Sequence, residues 1–82
     1  MKWVNYEEQM PDRDGIYITV CRGKVRILNF ARDLSSVDKY DFADRNYPGW
    51  YAYDEEYGNY EVVGVSHWAP QPEVPKELGG LG

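Results

Sequence analysis

The chain has 82 residues, a formal net charge of −5, 16% aromatic residues and a single cysteine, Cys21. That length suits one domain near the lower limit for an unstapled core, and one thiol excludes both an intramolecular disulfide and a cysteine-built metal centre. The acidic balance disfavours direct nucleic-acid binding, and with neither a signal-like start nor a membrane-length apolar run the expected setting is a soluble cytoplasmic protein, away from membranes.

The opening "WVNYEEQMPDRDG" reads as a strand stub or irregular segment with one helical turn near Glu7. Pro11 and Gly15 set the entry to the next element. In "GIYITVCRGKVRILNFA", Ile16, Ile18 and Val20 alternate with Tyr17, Thr19 and Cys21, a period of two rich in β-branched residues. A two-residue turn at Arg22-Gly23 then pairs Val20 with Val25 and Ile18 with Ile27 on one face. The same register pairs Thr19 with Arg26 and Tyr17 with Leu28 on the other. A slip of one residue would mix the two sets, so the pattern specifies its own register.

The segment "RDLSSVDKYDFADRNYP" follows. Ser35 or Ser36 is expected to cap a helical turn, with Asp38 in its first turn, where the helix dipole favours negative charge. Val37, Tyr40 and Phe42 outline a short apolar face, and Pro48-Gly49 ends the element. A second hairpin is expected between "GWYAYDEE" and "YEVVGVSHW". A Gly58-Asn59 turn sets Tyr53 opposite Gly64 and Ala52 opposite Val65. The whole reads as a mainly β fold: a small antiparallel sheet of two hairpins, four to five strands, with a short helical insertion. The N-terminal segment and the "HWAP" stretch are expected to cover one face. Residues 1–72 form the single β-rich domain and residues 73–82 a flexible C-terminal tail.

The two ends together resemble a known family. "WVNYEEQMPDRDGIYITV" is similar to an opening in which Trp is followed by a short acidic turn, a Leu/Met-Pro pair and a first strand. "VSHWAPQPEVP" is similar to a closing run, often HWMPLPEPP-like, of short phage and bacterial proteins: the domain of unknown function 551. The resemblance covers residues 3–20 and 62–75, at Trp3, Pro11, Gly15, His67, Trp68, Pro70 and Pro72. Gln71 stands where an apolar residue is usual, and the acidic segment after Asp33 is longer than the pattern. The resemblance implies a small β-rich fold and a phage or prophage setting, and it supplies no mechanism.

Charge points to one stretch. Residues 38 to 61 hold Asp38, Asp41, Asp44, Asp54, Glu55, Glu56 and Glu61 against Lys39 and Arg45, and elsewhere acids and bases balance. Tyr51, Tyr53, Tyr57 and Tyr60 lie in the same stretch and fall on one face in the register above. Tyrosine offers contact area and a hydrogen-bonding tip at low entropic cost, so it favours interfaces. The plainer account is that a two-sided sheet needs aromatic cover and that acids keep it soluble. The leading expectation is a non-enzymatic binding module, phage- or prophage-encoded, presenting Asp38, Asp41, Asp44, Tyr51, Tyr53, Asp54, Glu55, Glu56, Tyr57 and Tyr60 to a basic host protein, with a nucleic-acid-binding protein as one such partner. The alternative is a protein that sequesters a nucleotide-like ligand in an aromatic pocket of Trp3, Trp50, Tyr51 and Trp68, with Arg26 for charge.

His67, the one histidine, would need a carboxylate and a nucleophile within reach to act as a base. Asp54, Glu55 and Cys21 are the candidates, and no spacing forces them together. The structural reading, in which His67 and Trp68 pack on Trp3 beside Pro70 and Pro72 and fasten the chain end, is preferred. "PQPEVP" lacks the flanking base of a proline-rich ligand, so a fold-closing role is preferred there too. Asp38, Asp41 and Asp44 step by three without the glycine and terminal Glu of a calcium loop. Arg22, Lys24 and Arg26 at the hairpin tip read as a solvated edge. No cofactor and no metal are expected.

Overall fold

The computed structural model describes residues 2–70. Six strands form one antiparallel sheet: β1 (Val4–Asn5), β2 (Gly15–Cys21), β3 (Lys24–Ala31), β4 (Gly49–Asp54), β5 (Gly58–Val62) and β6 (Val65–Pro70). Their order is β1-β6-β2-β3-β4-β5. The mainly β antiparallel class is as expected, with more strands than the four or five expected. The N-terminal stub is a true strand, and the return arm of the second hairpin splits in two. The expected flexible tail and Pro72 lie outside the described residues.

The first hairpin has the register its alternation specifies: Val20 opposite Val25, Ile18 opposite Ile27, Thr19 opposite Arg26 and Tyr17 opposite Leu28. Arg22 (φ 52) and Gly23 (φ 81) make the turn, both left-handed as a type I′ turn requires. The second hairpin differs. Its ladder sets Tyr53 opposite Asn59 and Ala52 opposite Tyr60, so the loop is Glu55-Glu56-Tyr57, closed by left-handed Gly58 (φ 82). Asp54 determines this by folding its carboxylate back: Oδ1 accepts from the backbone N–H of Glu56 (2.8 Å) and Tyr57 (3.1 Å).

At Gly64 (φ 94) the chain leaves β5 and crosses to the other side of β2. There β6 pairs with both β1 and β2, Val4 opposite Trp68 and Thr19 also opposite Trp68. A bulge at Ser66 lets Cys21 face Val65 while Val20 faces His67. The "HWAP" stretch is therefore a sheet strand and not a cover. Cover on the inner face comes from the N-terminal segment: Asn5 caps a helical turn through Glu7, as expected, and the Trp68 indole donates to the Gln9 carbonyl (2.8 Å).

The sheet is rolled. β1 and β4 stand four places apart in the order, which on a flat sheet is about 19 Å. Yet the Tyr6 ring, one residue past β1, lies 5.5 Å from the Trp50 ring on β4. The concave face holds the core: Cys21, Leu28, Phe30, Trp50, Val62 and Trp68, with Tyr6 and Tyr17 packed against it. Thr19 is wholly buried there, its hydroxyl donating to the Arg26 carbonyl (2.8 Å). Alternation then sends the aliphatic side chains outward. Ile16, Val25 and Ile27 are 55%, 67% and 64% exposed.

One end of this convex face is covered by residues 33–47. Asp33, rather than Ser35 or Ser36, caps the short 3₁₀ turn Leu34–Ser36, accepting from the Ser35 N–H. Leu34 and Phe42 pack with Ala31 in a second small core. Gly49 makes room, since a Cβ there would stand 2.8 Å from Leu34 Cδ1. Of the expected helical face, Phe42 is inward and Val37 half-buried, while Tyr40 points to solvent. Asp38 caps the next turn, Oδ1 accepting from the N–H groups of Tyr40 (2.8 Å) and Asp41 (2.9 Å). Its Oδ2 accepts from the Asn59 amide (3.2 Å), stapling the insertion to β5.

Two outcomes follow. Gly64→Ala forces a Cβ onto a left-handed residue and against Arg22 Cγ (2.9 Å), and should cost about 1–3 kcal/mol in urea unfolding; no measurable loss would contradict this route from β5 to β6. The Asp41 and Tyr40 N–H groups, then the Asn59 amide, hold the Asp38 carboxyl below the ordinary aspartate value. Its contribution is therefore complete above about pH 4 and lost as pH falls through the lower folded value. The stability gap between the native chain and Asp38→Asn should narrow below that pH, and a constant gap from neutral to strongly acid pH would contradict the staple.

Candidate functional site

The acidic, tyrosine-rich stretch is divided by the sheet it sits on. Tyr51 and Tyr53 point to the convex face with Glu61 and Asn59, their cross-strand partners, whereas Tyr60 pairs with Ala52 on the concave side. The four tyrosines therefore do not share one face, which corrects the expectation built on a Gly58-Asn59 turn. The loop is longer and starts earlier, so β5 is displaced by an odd number of residues and its faces exchange. Tyr51 is half-buried against Phe42 (6.1 Å between ring centroids). Tyr53 and Tyr57 are 67% and 77% exposed.

The carboxylates divide in the same way. Asp38 and Asp54 are half-buried and hold turns together, as described above. Asp41, Asp44, Glu55 and Glu56 are exposed. The Asp41 carboxylate lies beside Gly58, 3.2 Å from where a Cβ would stand, which brings the insertion against the β4–β5 tip. Glu61 is engaged: it accepts from the Tyr47 hydroxyl (2.9 Å) and pairs with Arg45 (3.5 Å), whose guanidinium also covers the Phe42 ring (5.1 Å). Its bond and its charge raise the Tyr47 hydroxyl above the ordinary tyrosine value.

On the convex face, the neighbour of this stretch is the aliphatic stripe. Asn29 pairs with Tyr51, and alternation along each strand puts Ile27 and Tyr53 on that same face. Asn59, opposite Tyr53, carries the bond to Asp38. An apolar stripe, two tyrosines and the acid-bearing insertion thus share one face. Sequence reasoning paired Ile18 with Ile27 and Val20 with Val25 but left out of the site the face they form. The available signal was the hairpin itself: it has two apolar faces, and a single-layer core can bury only one of them fully.

The alternative pocket is not assembled. Trp50 and Tyr51 are adjacent strand residues and point to opposite faces. Trp50 and Trp68 are 2% and 8% exposed, filled in by the core around them. Trp3 is 39% exposed, and Arg26 stands instead beside Tyr60 (Nη2 to hydroxyl 3.5 Å). His67 faces the convex side opposite Val20, and its ring meets the Ser66 hydroxyl (2.9 Å). Cys21 is buried on the concave side with its thiol on the Val63 carbonyl (3.4 Å), so the two do not meet. Among the described residues, no group of three or more His, Cys, Asp or Glu side chains is placed to hold a metal ion, and no helix is long and apolar enough to cross a membrane.

No curated protein and no solved structure matches the chain. A family model described as protein of unknown function (DUF551) matches residues 2–76, which takes in the sheet, the insertion and both ends that carry the resemblance. The chain belongs to the DUF551 family.

Proposed function

We propose that the chain is a non-enzymatic protein-binding module, phage- or prophage-encoded, that engages or inhibits a basic host protein through the convex face of its sheet. The observation that carries this reading is the open stripe of Ile16, Val25 and Ile27 on the face that Tyr53 shares, with the acid-bearing insertion stapled to the same face. Small soluble proteins seldom leave a contiguous apolar patch open without a use for it. An apolar centre with a polar, charged rim is the usual anatomy of a contact surface. A standard interface removes about 800 Å² per partner, more than these aliphatic side chains expose, so the contact extends onto Tyr53, Tyr57 and the carboxylates of Asp41, Glu55 and Glu56.

Strand alternation sorts the charge. Lys24 and Arg26 pair with Cys21 and Thr19, so they leave the hairpin on the concave side, away from the stripe. The exposed acids next to the stripe then select a basic partner and speed its approach. If the partner binds nucleic acid, the carboxylates would take positions that phosphates normally occupy.

The test is capture from a host lysate on the immobilised chain, followed by binding kinetics with what is retained. A basic protein should be held at low ionic strength and shed as salt rises. It should be lost from the double variant Ile27→Asp, Tyr53→Ala. Reversing Glu55 and Glu56 to Lys should slow association about tenfold and leave dissociation nearly unchanged. Retention indifferent to both salt and the double variant would overturn the reading.

A further inference from the structure

We propose a second site, on the opposite side of the sheet: a cleft at the mouth of the roll that binds a phosphoryl group, with Arg22 and Arg26 as its cations and the Tyr60 hydroxyl as a neutral donor. The cleft has a volume of about 210 Å³ and lies between Arg22 and Arg26 on the first hairpin and Tyr60 to Val63 on the far edge. The Arg26 guanidinium just reaches the Tyr60 hydroxyl at 3.5 Å, which uses one of its five N–H groups and leaves the hydroxyl proton free to donate. Among the described residues neither arginine meets a carboxylate, and the ion pair there is Arg45 with Glu61. Glu61, the one acid bordering the cleft, is taken up by Arg45 and Tyr47 on the other face.

Arg22 supplies the independent observation. It is the one non-glycine residue with positive φ among the described residues (φ 52), at a turn position where Asn or Gly is the usual choice. Its side chain lies across Gly64, with Cγ at 2.9 Å and Nε at 3.0 Å from where a Cβ would stand, and its N–H donates to the Gly64 carbonyl (3.1 Å). A side chain on Gly64 would displace it. The strained arginine and the bare glycine together hold one guanidinium back along the cleft that Arg26 also lines. Backbone strain kept at a charged residue is the mark of a side chain with a task.

Chemistry and size choose the ligand. Two planar guanidinium forks and a hydroxyl match the several oxygens of a phosphoryl dianion. The volume is below the ~300 Å³ at which sites for whole small molecules begin, so the phosphoryl group enters and whatever carries it stays outside. This site is independent of the convex docking face, and either can fail alone.

The experiment is an amide chemical-shift titration of the full chain at constant ionic strength with inorganic phosphate, phenyl phosphate and acetate. Saturable shifts at Gly23, Tyr60 and Gly64 are expected with both phosphoryl probes, and the tighter of the two tells a free ion from a carried ester. Arg22→Asn retains the turn, relieves the left-handed strain and removes the cation. It should melt no lower than the native chain and bind phosphate at least about tenfold more weakly, as should Arg26→Gln. Acetate saturating the same amides equally well, no saturable shift with millimolar phosphate, or affinity unchanged in both variants would each overturn the proposal.

Discussion

The Trp50 indole holds this fold closed. It takes edge-on contacts from Phe30 (4.8 Å), Tyr6 (5.5 Å) and Tyr17 (6.0 Å), rings carried by the neighbouring strand, the N-terminal turn and a strand two places away. Only a rolled sheet brings those three to one point. The cost is visible at the same residue, because the Trp50 N–H is buried without a partner. Burial pushes the Tyr6 hydroxyl above the ordinary tyrosine value, and the Trp50 indole beside it tempers that push. An unpaired buried donor costs about 1–3 kcal/mol. Burying a ring of 150–250 Å² returns about 4–6 kcal/mol, so packing wins.

That choice decides what faces solvent. Side chains alternate, so a concave face filled with rings commits Ile16, Ile18, Val20, Val25 and Ile27 to the convex one. The insertion covers that face where Leu34 and Phe42 meet Ala31, leaving Ile16, Val25 and Ile27 open. Lys24 and Arg26 are committed to the other side by the same alternation. The proposed docking face and the proposed phosphoryl cleft are two results of one period-two pattern, separated by the thickness of the sheet.

The first hairpin was fully legible in the sequence because turn chemistry and side-chain pattern agreed on one register. The direction of that hairpin was not legible: both faces are apolar, and only the ring cluster around Trp50, assembled from distant segments, settles which is buried. The second hairpin departs from its expected register where two turn signals compete. Gly58-Asn59 has turn composition, but Asp54 closes the turn earlier and Gly58 serves as its left-handed exit. That displacement moved Tyr60 off the expected face. The role of "SHWAP" as a central strand depends on Gly64 redirecting the chain, a long-range event with only one residue of local signal. His67 shows the same limit, since its neighbour Ser66 was in view but its place opposite Val20 was not.

Face assignment is the claim on which both surfaces depend, and paired charge insertion tests it most directly. Val25→Asp and Leu28→Asp place the same carboxylate on one strand, at a residue 67% exposed and at one 1% exposed. Urea unfolding of Val25→Asp should stay within about 1 kcal/mol of the native chain, while Leu28→Asp should abolish the folded state. Equal damage from both, or greater damage from Val25→Asp, would mean that the aliphatic stripe is the core and that neither proposed surface exists.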